Sequence, residues 1–295
     1  MATVHELQLC THDRALADRA AAAAMADVRR IEAKYSRYRD DSVTSAINQA
    51  AGRGAVAIDA ETASLLRYAD RCHALSGGRF DITSGVLRRA WDFKRRPPRI
   101  PPADEIAPLL ALIGWERVDW SDDSVRLPRA GMELDFGGIG KEYAADRAAA
   151  VCRGHNIEHA LVNLGGDVRA IGGRADGTPW RIGIRDPREP DATIATFALC
   201  DAALATSGDY ERGFDVDGRR YGHLLDPRSG MPVSHWRSAS VVAPLAIIAG
   251  TYATCAMLLE REAEALLAAA DVRYLMVAAD GRVVVDPRSA SISRV

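Results

Sequence analysis

Three stretches of this 295-residue chain alternate apolar and polar residues on either side of an Asp- or Gly-centred turn: "WERVDWSDDSVRLP" from Trp115, "FDVDGRRYGHLL" from Phe214 and "RYLMVAADGRVVVDP" from Arg273. A period of two around such a turn marks an antiparallel hairpin, with successive side chains facing the core and the solvent. Three hairpins require antiparallel pairing, so the expected fold class is α+β rather than a doubly wound parallel sheet. A first strand is expected over Val4–Leu9, followed by a long amphipathic helix with Leu16, Ala20, Val28, Ile31 and Tyr35 on its inner face. Arg39 to Ser42 form a turn and helix cap, and a short helix runs on to Asn48. A further helix, Glu61 to Ser76, stops at Gly77-Gly78. Residues 90–104 are expected to be a flexible surface loop.

Composition excludes several function classes. The 38 basic residues are balanced by 40 acidic ones, which leaves no field for a polyanion, so nucleic acid is not an expected partner. The one basic cluster, Lys94, Arg95, Arg96 and Arg99, lies in a proline-rich run and is expected to be solvated. Five scattered cysteines without a C-x-x-C pair argue against a disulfide framework or a zinc ribbon and fit a reducing compartment. The opening "MATVHELQLCTHDRALADRA" lacks the basic flank and apolar core of a signal peptide, and no apolar run is long enough to span a membrane. The expected location is the cytoplasm, with no membrane partner.

The chemistry-bearing stretch is "LDFGGIGKEYAADRA", Leu134 to Ala148. It is not a P-loop, because Asp135 stands at the first glycine position and Glu142 at the final Ser/Thr position; Tyr143 likewise replaces the third glycine of a dinucleotide fingerprint. Gly137, Gly138 and Gly140 would still let backbone approach a ligand, at the positive end of a helix starting near Lys141. Lys141 and Asp135 together suit a phosphate ester that also carries hydroxyls, although three glycines alone fit an ordinary strand-to-helix turn better. "ALVNLGGDVRAIGG" then sets Asn163, Gly165, Gly166 and Asp167 between two strand-like runs, either as a plain hairpin turn or at the same end of the sheet as the first glycine stretch. "ATSGDYERGF" supplies Ser207 and Asp209, and "YGHLLDPRSGMPV" places His223 in an apolar strand before an Asp226-Pro227 turn. Such a histidine is either a hydrogen-bonded core residue or, with Asp209 and Asp226 near it, a general base.

Taken in order, "YSRYRDDSVTSAIN", "GGRFDITSGVL", "LDFGGIGKEYAADRA", "ALVNLGGDVRAIG", "RIGIRDP", "ATSGDYER", "YGHLLDPRSGMPV" and "VVAPLAIIAGTYATCAML" resemble the signature stretches of the ApbE family, the FAD:protein FMN transferases. The resemblance runs from about Met1 to about Leu259. It implies a single α+β domain spanning residues 1–295, with antiparallel sheets, packed helices and an FAD cleft between two lobes. It also implies an enzyme that uses Mg2+ to split FAD, transfers FMN to a Thr or Ser hydroxyl of a flavin-acceptor protein and releases AMP; some relatives instead hydrolyse FAD to FMN and AMP.

Residue by residue, the resemblance puts Tyr38 against a ring system of FAD, and Phe80, Asp81, Asp135, Lys141, Gly165, Gly166 and Asp167 in the FAD pocket. The Gly138 carbonyl and Thr254 become metal ligands, and His223 deprotonates the acceptor hydroxyl. One position departs from the family pattern. Four residues before Thr254, where the family carries a metal-binding aspartate, this chain has Gly250. Either the metal is held otherwise, with Glu142 as one candidate, or the chain is a member that binds FAD without catalysis or takes another ligand. Leu245 replaces a small polar residue in the same corner.

Overall fold

The computed structural model of the protein describes residues 4–189, 191–210, 212–288 and 293–294. The chain begins with strand β1 (His5–Cys10), one residue later than expected, and helix α1 (Arg14–Tyr35). Asp13 caps α1 by accepting the Leu16 amide, and Ala20, Ala24, Val28, Ile31 and Tyr35 form its buried stripe, packed along a later helix. Ser42 caps α2 (Val43–Gln49). After β2 (Val56–Ala57), Asp59 caps α3 (Ala60–Leu75), which ends at Gly77-Gly78 as expected.

The 90–104 region, expected as a flexible surface loop, is packed at its start. Trp91 is buried, donates its indole N–H to the Gly230 carbonyl at 2.8 Å and stacks with Phe93, Phe214 and Tyr221. These aromatic contacts anchor the start of the segment, whereas Lys94, Arg95, Arg96 and Arg99 are exposed as expected. A short helix, α4 (Ala103–Leu110), follows, overlapping the expected loop only at residues 103–104.

All three expected hairpins form, at Asp119–Trp120 (β3) with Ser124–Arg126 (β4), at Gly213–Val216 with Arg219–Gly222, and at Arg273–Ala278 with Val283–Val285. Helix α5 (Gly140–Gly154) leads into β5 (His159–Leu164) and β6 (Asp167–Ile171), then β7 (Trp180–Arg185), β8 (Thr193–Leu199) and β9 (Ala203–Gly208). The chain closes with β10 (Gly213–Val216), β11 (Arg219–Gly222), β12 (Trp236–Ala243), α6 (Ala246–Leu259), α7 (Ala263–Ala269), β13 (Arg273–Ala278), β14 (Val283–Val285) and β15 (Ser293–Arg294). His223 falls outside the strand expected for it. The β10–β11 ladder ends at the Gly213–Gly222 pair, and the His223 amide turns to the Arg212 carbonyl at 3.1 Å.

The main sheet has seven strands in the order β1-β5-β6-β9-β12-β13-β14, all antiparallel. Its two faces divide by the strand period. Ala160, Val162, Ala203, Ala205, Ala239, Val241 and Met276 meet the helices, while Leu161, Val168, Leu204, Val242 and Leu275 meet Trp180, Phe197 and Leu199 of the small β7–β8 sheet. Helix α6 is apolar almost all round and buried in the helical layer. Among the described residues no helix is long and apolar enough to cross a membrane.

Candidate functional site

The β5–β6 turn needs two left-handed residues, and Gly165 (φ +61°) and Gly166 (φ +94°) provide them, with Asn163 accepting the Gly166 amide at 2.9 Å. This turn starts β6 at Asp167 with its side chain on the helix face, only 2% exposed. Lys141, in the first turn of α5, places its ammonium 2.7 Å from the Asp167 carboxylate. The two glycine-rich stretches therefore lie at one end of the sheet. Thr254, on α6, shares a hydrogen bond of 2.8 Å with Ser207 at the end of β9, beside the Thr206 amide that points to Asp167 at 3.4 Å.

Glu142 enters this group from α5. It is 7% exposed, and its Oε2 is buried without a hydrogen-bond partner among the described residues. Burial and, next, the charge of Asp167 push its carboxyl well above the usual carboxylate range, with Lys141 opposing. Gly250, one turn before Thr254, faces it directly: a Cβ at Gly250 would lie 2.5 Å from Glu142 Cγ and 2.9 Å from Oε1.

Asp135 caps the 3-10 turn Phe136–Gly138 by accepting the Gly137 amide at 2.8 Å, and its carboxylate is paired with Arg37. Arg37 also donates to the Tyr38 hydroxyl at 2.7 Å and lies over that ring, and Tyr38 is 80% exposed. The Phe80 ring lies against Gly138. Asp81 is engaged locally: Oδ1 accepts the Thr83 amide and hydroxyl, and Oδ2 accepts the Trp115 amide at 3.0 Å. That pattern staples the 81–83 loop to Trp115. His73 and Glu116 stand close to it, with His73 Nε2 3.9 Å from Asp81 Oδ2.

His223 is half-buried and its Nδ1 has no hydrogen-bond partner among the described residues. Burial first, then the charge of Arg212, lower its pKa to about 4, with Lys141 contributing in the same direction. The imidazole is therefore neutral near pH 7. Neither neighbouring acid orients it through Nδ1: Asp209 is ion-paired to Arg237 at 3.0 Å, and Asp226 accepts the Arg228 amide inside its own turn.

Leu245 precedes α6 and cannot cap it, being 41% exposed with no polar group. The cap comes instead from Asp146 of α5, which accepts the Ala246 and Ile247 amides at 2.8 and 2.9 Å. Arg37, Arg212 and Asp146 are absent from the sequence-derived site. The first sat inside the quoted "YSRYRDD" stretch, but its pairing with Asp135 could not be read from spacing.

These features define an α+β protein with a mixed lysine, carboxylate, hydroxyl and neutral-imidazole site at one end of an antiparallel sheet. Residues 1–276 match the family model described as "ApbE family", and the chain belongs to that family. It is 35% identical over 232 residues to an FAD:protein FMN transferase of Klebsiella pneumoniae, spanning 78% of this chain and 70% of that protein. Against the protein of the same name from Vibrio cholerae it is 32% identical, over 68% of this chain and 61% of the relative. The crystal structure of an ApbE protein from Thermotoga maritima superposes with a TM-score of 0.85 at 33% identity, covering 95% of this chain and 93% of that one. The flavin transferase ApbE from Vibrio cholerae gives 0.86 at 26% identity, covering 97% and 94%.

Proposed function

We propose that this chain is an FAD:protein FMN transferase: it splits FAD at the pyrophosphate, passes FMN to a Thr or Ser hydroxyl of a flavin-acceptor protein and releases AMP. The observation that carries the reading is the meeting of Lys141, Asp167, Thr254 and Glu142 at one sheet end, in a family whose curated relatives carry that name. In this reading FAD lies in a cleft lined by Tyr38, Phe80, Asp81, Asp135 and the Gly165–Asp167 turn. Lys141 draws charge from the phosphates, and the tight turns exclude water and align the reacting groups.

His223 acts on the acceptor. The acceptor oxygen bonds to the FMN phosphorus, the bond from that phosphorus to the AMP oxygen breaks, and the acceptor proton goes to the neutral imidazole. A base with a pKa near 4 is weak at neutral pH, but phosphate charge arriving beside Lys141 and Arg212 opposes the two cations that depress it. The donor set for a divalent cation is hard oxygen, from the Thr254 hydroxyl, the Gly138 carbonyl and a buried carboxylate with an unpartnered oxygen, which fits Mg2+. When bound, Mg2+ neutralises charge developing on the pyrophosphate oxygens.

Gly250 favours a second reading, a member that binds or hydrolyses FAD without transferring FMN. Chromatography of a mixture of the protein, FAD and Mg2+, with and without an acceptor domain, separates the two. Acceptor-dependent AMP supports transfer; acceptor-independent AMP and FMN identify hydrolysis; unchanged but bound FAD identifies binding alone.

A further inference from the structure

We propose that Glu142 is the carboxylate ligand for a divalent cation at this site, reaching it from α5 through the space that Gly250 leaves open on α6. The inference rests on the reading of the site as one that handles a pyrophosphate, and it assigns the acid that reading requires.

Two observations carry it independently. The first is shape. A side chain at position 250 and the side chain of Glu142 cannot coexist as placed, since the added Cβ would fall 2.5 Å from Glu142 Cγ and 3.0 Å from Cδ. Glycine at 250 is thus matched to glutamate at 142, and the volume beside α6 still holds a carboxyl group, delivered from the neighbouring helix.

The second is the unsatisfied polar atom. Glu142 Oε2 is buried with no donor among the described residues, its carboxyl facing the Asp167 carboxyl, on a side chain that is almost wholly enclosed. A buried carboxylate oxygen without a donor is unfavourable and calls for a cation, a water or a proton. The surroundings select among these. Asp167 brings a second acid next to Glu142, Lys141 is already drawn to Asp167 at 2.7 Å, and Thr254, one turn beyond Gly250, brings its hydroxyl and that of Ser207 to the same sheet end. Two carboxyls with hydroxyl oxygens form a hard-oxygen set suited to Mg2+ or Mn2+. A divalent ion lets both acids remain ionised; a proton shared between Glu142 and Asp167 is the competing arrangement.

The test is titration of Mn2+ into the full-length protein, read by the EPR signal of the free ion, with FAD binding followed separately by flavin fluorescence. The isosteric variant Glu142→Gln is expected to weaken Mn2+ binding by about tenfold or more while FAD affinity changes by less than about threefold. The exchanged variant Glu142→Gly/Gly250→Asp is expected to recover Mn2+ binding, and Mn2+ should raise the melting temperature of the wild type and the exchanged variant but not of Glu142→Gln. The inference is overturned if Glu142→Gln binds Mn2+ like the wild type, if the wild type binds no Mn2+ with or without FAD, or if an exchanged variant that melts like the wild type binds none. Loss of the flavin reading looks different: Mn2+ binding would depend on Glu142 while the wild type failed to bind FAD.

Discussion

Asp146 on α5 accepts the Ala246 amide at 2.8 Å and the Ile247 amide at 2.9 Å, capping a helix whose own preceding residue, Leu245, has no acceptor to offer. The bond between two helices thereby fixes where α6 begins, and with it the placement of Gly250 and Thr254. Asp146→Ala leaves two amides at a buried helix start without a partner and should cost roughly 1–3 kcal/mol of stability. Leu245→Ser in that background should recover part of the loss by capping locally. Chemical denaturation of the three proteins checks this, and an Asp146→Ala midpoint equal to wild type would show that the cap carries no stability.

The Gly250–Glu142 contact predicts a sign reversal. In the wild type, Gly250→Ala should destabilise by about 1–3 kcal/mol, because the new methyl group overlaps the Glu142 stem. With Glu142→Ala already present, the same change should stabilise by up to about 1 kcal/mol through helix propensity. A double-mutant cycle measures the coupling, and additive effects would contradict the contact.

His223 gives stability a defined dependence on pH. Its folded pKa is lowered from 6.5 to about 4, chiefly by burial and then by Arg212, so the unfolded chain takes up the proton first. Stability from this group is therefore fully present above pH 6.5 and is lost as pH falls towards 4, by at most about 3 kcal/mol. Denaturation curves for His223→Gln should be flatter than wild type across that window. A parallel pH dependence in both proteins would mean that His223 is not the group responsible.

The same histidine should respond to substrate phosphate. Its imidazole NMR titration is expected to move upward when inorganic pyrophosphate binds beside Lys141, since the added anion offsets the neighbouring cations. His223→Gln should reduce FMN transfer by about 100- to 10,000-fold while leaving FAD affinity nearly unchanged. A variant with near-normal transfer would remove His223 from the proton path.

Much of the fold follows from local pattern. The hairpins around Asp122, Gly218 and Gly281 keep a period of two on both sides of their turns, and nothing tertiary overrides it. Ser42 is legible as the cap of α2, and the structure adds Asp13 and Asp59, whose side chains accept the free amides of α1 and α3 in the same way. Helix α4 gives little local signal, because Pro102 precedes it and Pro108 lies inside it. His223 was misplaced because its strand character is apolar composition only, and the ladder ends one residue earlier. In the site, Lys141 and Asp167 were legible as types but not as partners. Arg37 with Asp135, and Asp146 with α6, join residues about a hundred positions apart, and no spacing rule connects those. Gly250 was visible as a departure, yet only the packing shows that Glu142 fills the volume opposite it.

The measurement that tests the functional account most directly is the intact mass of a flavin-acceptor domain after incubation with the protein, FAD and Mg2+. The account predicts a covalent FMN adduct on a Thr or Ser of the acceptor, formed together with AMP and at least about 100-fold more slowly when His223→Gln replaces the wild type. An acceptor of unchanged mass, with FAD bound but intact, would contradict it.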